Sequence, residues 1–117
     1  MAAAIVLVDR DPLYAWFVTE ALVDANTAVT WFRDTASAAA HQTDTPEPAL
    51  RLVDGVTWLT SSRGGMEAAA GTSPPTVLIG WDVRTTPPAG FVALADKPAD
   101  AGELRALVAA ALAAAPR

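Results

Sequence analysis

The sequence predicts an α/β domain in which helices alternate with the strands of a parallel sheet. Short β-branched or aliphatic runs recur as "AIVLV" at 4–8, "TAVTWF" at 27–32, "ALRLV" at 49–53, "TVLIG" at 76–80 and "FVALA" at 91–95. Helix-compatible stretches lie between them, the alternation that βαβ units produce. At 117 residues, 52% of them hydrophobic, the chain has room for one domain and enough apolar material for its core, so residues 1–117 are read as a single unit.

The opening "MAAAIVLV" reads as the first strand. It lacks a basic flank and meets Asp9 well short of the roughly 18 apolar residues of a spanning helix, so a cytoplasmic protein without a membrane segment is expected. Asp11 and Pro12 form a good N-cap and first-turn pair. Leu13, Trp16, Phe17 and Ala21 follow at helical spacing, which places Trp16 and Phe17 in the core. Trp31 lies within the second strand and is also expected in the core.

An Ala-rich second helix over about Thr35 to Gln42 ends before the two prolines of "TDTPEP". The third strand runs into Asp54 and Gly55, which leaves open whether the chain turns there or does chemistry there. Glycines bracket the next stretch, so only a short helix around Met66 to Ala70 is expected. Trp58 and Trp81 are assigned to loops, as lid or interface residues. "WDVRTTPPAG" follows the fourth strand, and its consecutive Pro87 and Pro88 predict that the fourth helix is shortened or absent. From about Asp100 to Ala114 a last helix carries Leu104, Leu107, Val108 and Leu112 on one side, to pack on the sheet.

Composition excludes several functions. Thirteen acidic against eight basic residues give a net charge of −5, with the cations scattered, so no footprint for direct nucleic-acid binding is present. Without cysteine there is no disulfide or thiolate chemistry, and His41 alone makes no histidine cluster.

In an open parallel sheet, ligands bind beyond the carboxyl ends of the strands. The residues at those positions are Asp9, Arg10 and Asp11, then Asp54, then Gly80, then Asp96 and Lys97. Clustered carboxylates repel one another unless a cation sits among them, and a hard divalent ion with oxygen ligands is the usual solution. A lysine at the same edge can pair with a carboxylate or with a phosphoryl group carried on it. Acidic residues after strands also cap helices, the reading that fits Asp11.

These segments together resemble a known family. "VLVDRDPLYAWFVTEAL" looks like the opening of a CheY-like response-regulator receiver domain. "PALRLVD" resembles the strand carrying its phospho-accepting aspartate, and "DKPADAGELRALVAAAL" resembles its lysine-proline turn and final helix. The resemblance implies a flavodoxin-like, doubly wound five-stranded parallel sheet of order 2-1-3-4-5. It makes Asp54 the phospho-acceptor and Lys97 the lysine that contacts the phosphoryl group. Asp9, Asp54 and the Val56 carbonyl would be the Mg²⁺ ligands.

Three positions depart from the family pattern. Its second pocket carboxylate falls on Arg10, its switch hydroxyl on Gly80 and its switch aromatic on Leu94. The resemblance is thus to an atypical, degenerate receiver, with Mg²⁺ binding weak or absent. Such a domain is not an enzyme; it acts mainly through protein contacts. The partners implied are a histidine kinase or other signalling protein, a fused output domain outside this segment, or a second copy in a homodimer. The alternative is a phosphatase like the haloacid dehalogenases, with Asp9 as nucleophile, Asp11 as acid/base, and Thr60 and Lys97 assisting.

Overall fold

The computed structural model describes residues 3–23, 26–42, 47–62, 64, 74–80 and 90–114. In chain order the elements are β1 (Ala3–Val8), α1 (Pro12–Leu22), β2 (Thr27–Phe32), α2 (Thr35–Gln42), β3 (Leu50–Asp54) and α3 (Gly55–Leu59). β4 (Thr76–Ile79), β5 (Ala93–Ala95) and α4 (Ala101–Ala114) complete them. The strands form one sheet in the order β2-β1-β3-β4-β5, every neighbouring pair parallel. That is the expected flavodoxin-like topology, with the chain reversing its direction of winding between β1 and β3. The expected short helix at 66–70 and the expectation for the fourth helix, on 81–89, lie outside the described residues.

Side chains alternate across the sheet and build a core on each face. Ile5, Leu7, Leu50, Leu52, Val77 and Ile79 point to the face covered by α1 and α4, where they meet Val18, Leu22, Leu104 and Val108. Val6, Val8, Val53 and Leu78 point to the other face, against Ala38 of α2 and Trp58 of α3. Each fully buried aliphatic side chain stabilises by roughly 1.5–3 kcal/mol relative to exposure. β1, β3 and β4, covered on both faces, therefore read as near-continuous apolar runs. β2, at the sheet edge, shows only partial burial that alternates along most of its length.

Tryptophan placement differs from expectation three times. Trp16 is 66% exposed. The inner stripe of α1 is Ala15, Val18, Ala21 and Leu22, whose two alanines let the helix approach closely, while Leu13, Trp16 and Glu20 form an outer stripe. Phe17 does pack, partly buried, against the core. Trp31 is 40% exposed on the edge strand, tied by its indole N–H to the Asp9 carbonyl at 2.6 Å. Trp58 is not a loop residue: it is buried in α3 and meets Phe91 edge-on at 5.3 Å. Trp81 lies outside the described residues.

Candidate functional site

Strand register sets the site. Val8 of β1 pairs with Val53 of β3, so Asp9 and Asp54 leave the sheet side by side. Asp54 pairs with Ile79 of β4, and Ile79 with Ala95 of β5, which brings Gly80 and Lys97 to the same edge. The Asp9 N–H donates to Phe32 O and the Gly80 N–H to Ala95 O, extending the ladder one residue past the strands on both sides of the site.

Lys97 closes the group. Its Nζ lies 2.7 Å from Asp9 Oδ2 and 3.1 Å from Asp54 Oδ1, over the face of the Tyr14 ring at 4.2 Å. The approach to Asp9 Oδ2 is close but off the hydrogen-bonding direction, so that buried oxygen has a neighbouring charge and no directed donor. The Tyr14 hydroxyl donates to the Pro98 carbonyl and holds the ring under the ammonium.

Asp54 answers the question its position raises by serving two ends. It is the N-cap of α3: Oδ2 accepts from the Thr57 N–H at 2.9 Å and from the Thr57 hydroxyl at 2.8 Å. Among the described residues, its other oxygen is held by Lys97 alone. The Thr57 hydroxyl in turn accepts the Arg10 N–H, linking the residue after Asp9 to the carboxylate of Asp54. Sequence reading missed both α3 and Thr57, although an aspartate at the end of a strand is itself a candidate N-cap.

These environments separate the two carboxylates. Burial pushes Asp9 above the usual aspartate range, against the opposing pull of Lys97 and the Asp11 N–H. Burial acts on Asp54 in the same direction, but the two Thr57 donors and Lys97 outweigh it and hold Asp54 below the usual range. Burial alone would lower Lys97; the close approach and negative charge of both aspartates raise it instead. Burial, with Asp9 and Asp54 nearby, pushes the Tyr14 phenol up to about 12.

The remaining sequence candidates fall outside this network. Arg10 is exposed and, among the described residues, pairs with neither Asp9 nor Asp54. Asp11 caps α1 through the Leu13 N–H, and Asp96 is exposed. Thr60 points its hydroxyl back at the Val56 and Thr57 carbonyls, so the threonine required by the phosphatase alternative does not reach Asp9. Leu94 is half-buried against the second core.

The oxygens that Mg²⁺ would need already have partners. That ion demands near-octahedral oxygen ligation. Asp9 Oδ1 accepts from the Asp11 N–H, Asp54 Oδ2 is held twice by Thr57, and Lys97 sits on the other two oxygens. The Val56 carbonyl is engaged inside the helix, accepting the N–H and the hydroxyl of Thr60. Among the described residues no third His, Cys, Asp or Glu joins the pair.

No protein-family model and no curated protein matches the chain. Solved structures do. Chemotaxis response regulator CheY4 of Vibrio cholerae superposes with a TM-score of 0.74 at 17% identity, over 95% of this chain and 99% of that one. A response regulator from Thermotoga maritima gives 0.74 at 15% identity, over 97% of this chain and 100% of that one. NtrX of Brucella abortus is 26% identical with a TM-score of 0.74; the match takes in 98% of this chain and 28% of the NtrX chain. Over nearly its whole length, this chain has the fold of the CheY-like response-regulator receiver domains.

Proposed function

We propose that the chain is an atypical receiver domain of two-component signal transduction, with Asp54 as phospho-acceptor. The observation that carries this reading is the Lys97 bridge between Asp9 and Asp54 at the carboxyl edge of the sheet. A phospho-acceptor must be an anion at neutral pH, and Asp54 is held as one. Oδ1 is the nucleophilic oxygen: it lacks the double grip that Thr57 places on Oδ2, and it faces a glycine, Gly80. Attack on a phosphoryl donor forms the Oδ1–P bond as the donor's P–O or P–N bond breaks, and Lys97 neutralises charge on the product.

Metal assistance is weak in this reading because Lys97 already occupies the oxygens that Mg²⁺ would need. The domain is a signalling module, not an enzyme. Its partners are a histidine kinase or other signalling protein, an output domain fused outside these residues, or a second copy. Leu13 and Trp16, exposed on α1 just after the site, supply apolar surface for such contacts. A cytoplasmic location fits this role, and among the described residues no helix is long and apolar enough to cross a membrane.

The test is intact mass after acetyl phosphate, with and without Mg²⁺, on the wild type and Asp54→Ala. One phosphoryl group is expected on the wild type, formed slowly and with little help from Mg²⁺, and none on the variant. An unmodified wild type, or an adduct that persists in Asp54→Ala, overturns the assignment.

A further inference from the structure

Beside the acceptor, on the α2 and α3 side, lies a cleft of about 450 Å³ that the receiver reading leaves unused. This is within the roughly 300–1,000 Å³ of small-molecule sites. Arg10, Arg33, Asp34 and Thr60 line it, over a floor of the buried Thr35 and Thr57. Among the described lining residues, only Ala36 lacks a polar side chain.

In a chain of net charge −5, two arginines against one aspartate make an excess of positive charge among the described residues of the lining. Neither arginine is in an ion pair with a carboxylate among the described residues. The Asp34 carboxylate is engaged on its own helix, where Oδ1 accepts the Ser37 N–H at 2.7 Å. That contact closes the amino end of α2, so the guanidiniums and not the helix end would take an anion.

The floor asks for something different. Thr35 donates its hydroxyl proton to Ser61, Ser61 to the Thr57 carbonyl, and Thr60 to the Val56 carbonyl. With their protons committed inward, these hydroxyls offer lone pairs, and lone pairs accept. A ligand that satisfies both parts of the cleft carries an oxyanion for the guanidinium forks and O–H donors for the floor. The phosphate end suits the forks because its oxygens take paired N–H bonds.

We infer that this cleft is a binding site for a small hydroxylated organic phosphate of the sugar- or polyol-phosphate class, held by Arg10 and Arg33. The site is separate from Asp54 phosphorylation and does not rest on it. Amide NMR shifts of the full chain are followed during titration with glycerol phosphate, ribose phosphate and glucose phosphate. Inorganic phosphate and free ribose are the controls.

Saturable shifts at Arg10, Arg33, Thr35 and Thr60 are expected with at least one ester, tighter than with inorganic phosphate and absent with ribose. Arg33→Gln and Arg10→Gln, both at exposed positions, should keep the wild-type melting temperature and weaken binding on the order of tenfold. Three outcomes overturn the inference: no saturable shift with any ester, inorganic phosphate binding as tightly as the esters, or affinity unchanged in both arginine variants.

Discussion

Gly80 approaches Asp54 so closely that a Cβ built on it would lie 3.3 Å from Oδ1, on a backbone at φ 72°. Both facts oppose a side chain. The left-handed backbone costs a non-glycine residue about 1–2 kcal/mol, and the added atom would press on a buried carboxylate held by Lys97. Gly80→Ser should therefore destabilise the domain by at least that ~1–2 kcal/mol in urea unfolding. It should not raise acetyl phosphate labelling of Asp54. A serine variant as stable as the wild type and labelled faster would show that the missing hydroxyl is the only obstacle to switching.

Tyr14 is the only tyrosine of the chain and so reports the charge of the site. Its phenol is pushed up to about 12 by burial first, then by Asp9 and Asp54. The folded value exceeds the unfolded one, so Tyr14 contributes stability below the ordinary tyrosine range that is lost as pH rises through it. Lys97, also raised, loses its contribution in the same alkaline direction. Ultraviolet titration of the folded protein should give a midpoint near 12, falling in Asp9→Asn. A midpoint at the ordinary tyrosine value of 10.0 while circular dichroism still shows a folded chain would contradict the geometry.

The sheet and the convergence of Asp9, Asp54 and Lys97 were legible because each signal is local. A buried parallel strand is an apolar run, and the residue that ends the run marks the sheet edge. The tryptophans were not legible, since their placement depends on partners far along the chain. Trp31 sits on a strand whose edge position is set by topology, and Trp16 and Val18 compete for the inner side of one helix. α3 was hidden for another reason. Its five residues are too few for apolar periodicity to show, and its start is fixed by the Asp54 cap. Arg10 stands where the family has its second pocket carboxylate, but Lys97 is the cation that reaches both aspartates, and Arg10 lines the neighbouring cleft.

Thr57 ties Asp54 to the Arg10 backbone, so Thr57→Val removes a hydroxyl that both donates and accepts without changing the shape of the side chain. A loss of about 1–3 kcal/mol is expected from the unsatisfied Arg10 N–H and the poorer grip on Oδ2. The acid dependence should also change. Asp54 is lowered from 3.8, so its contribution is present above that value and lost as pH falls through the folded one. The variant should lose less stability on acidification. Asp9, raised by burial, acts in the opposite sense in both proteins, so the difference between them isolates Asp54. Parallel acid profiles would mean that the hydroxyl does not hold the carboxylate.

Metal binding is tested where the family pattern expects a carboxylate. Trp31 donates to the Asp9 carbonyl and is placed to report any change at the site. Titration of wild-type tryptophan fluorescence with Mg²⁺ should show weak binding or none. Arg10→Asp removes a cation and adds an oxygen ligand beside Asp9, and should bind Mg²⁺ better. Tight, saturable binding by the wild type would mean that Lys97 yields its oxygens to the ion.

The last prediction concerns switching. A receiver that relays phosphorylation needs a group to grip the phosphoryl oxygens and a mobile side chain to report it. Gly80 has no side-chain atom to provide the grip. Leu94 has no ring to report it, and it is half-buried against the core that Val8, Val53 and Trp58 build. β5, which carries Leu94, is three residues long at the sheet edge. Treatment with beryllofluoride and Mg²⁺, a mimic of the acyl phosphate, should leave the sedimentation coefficient of the domain unchanged. A monomer-to-dimer shift abolished by Asp54→Ala would show that the signal leaves the site by another route. Thr57 would then be the first residue to test, because its hydrogen bonds connect Asp54 to both α3 and the chain after β1.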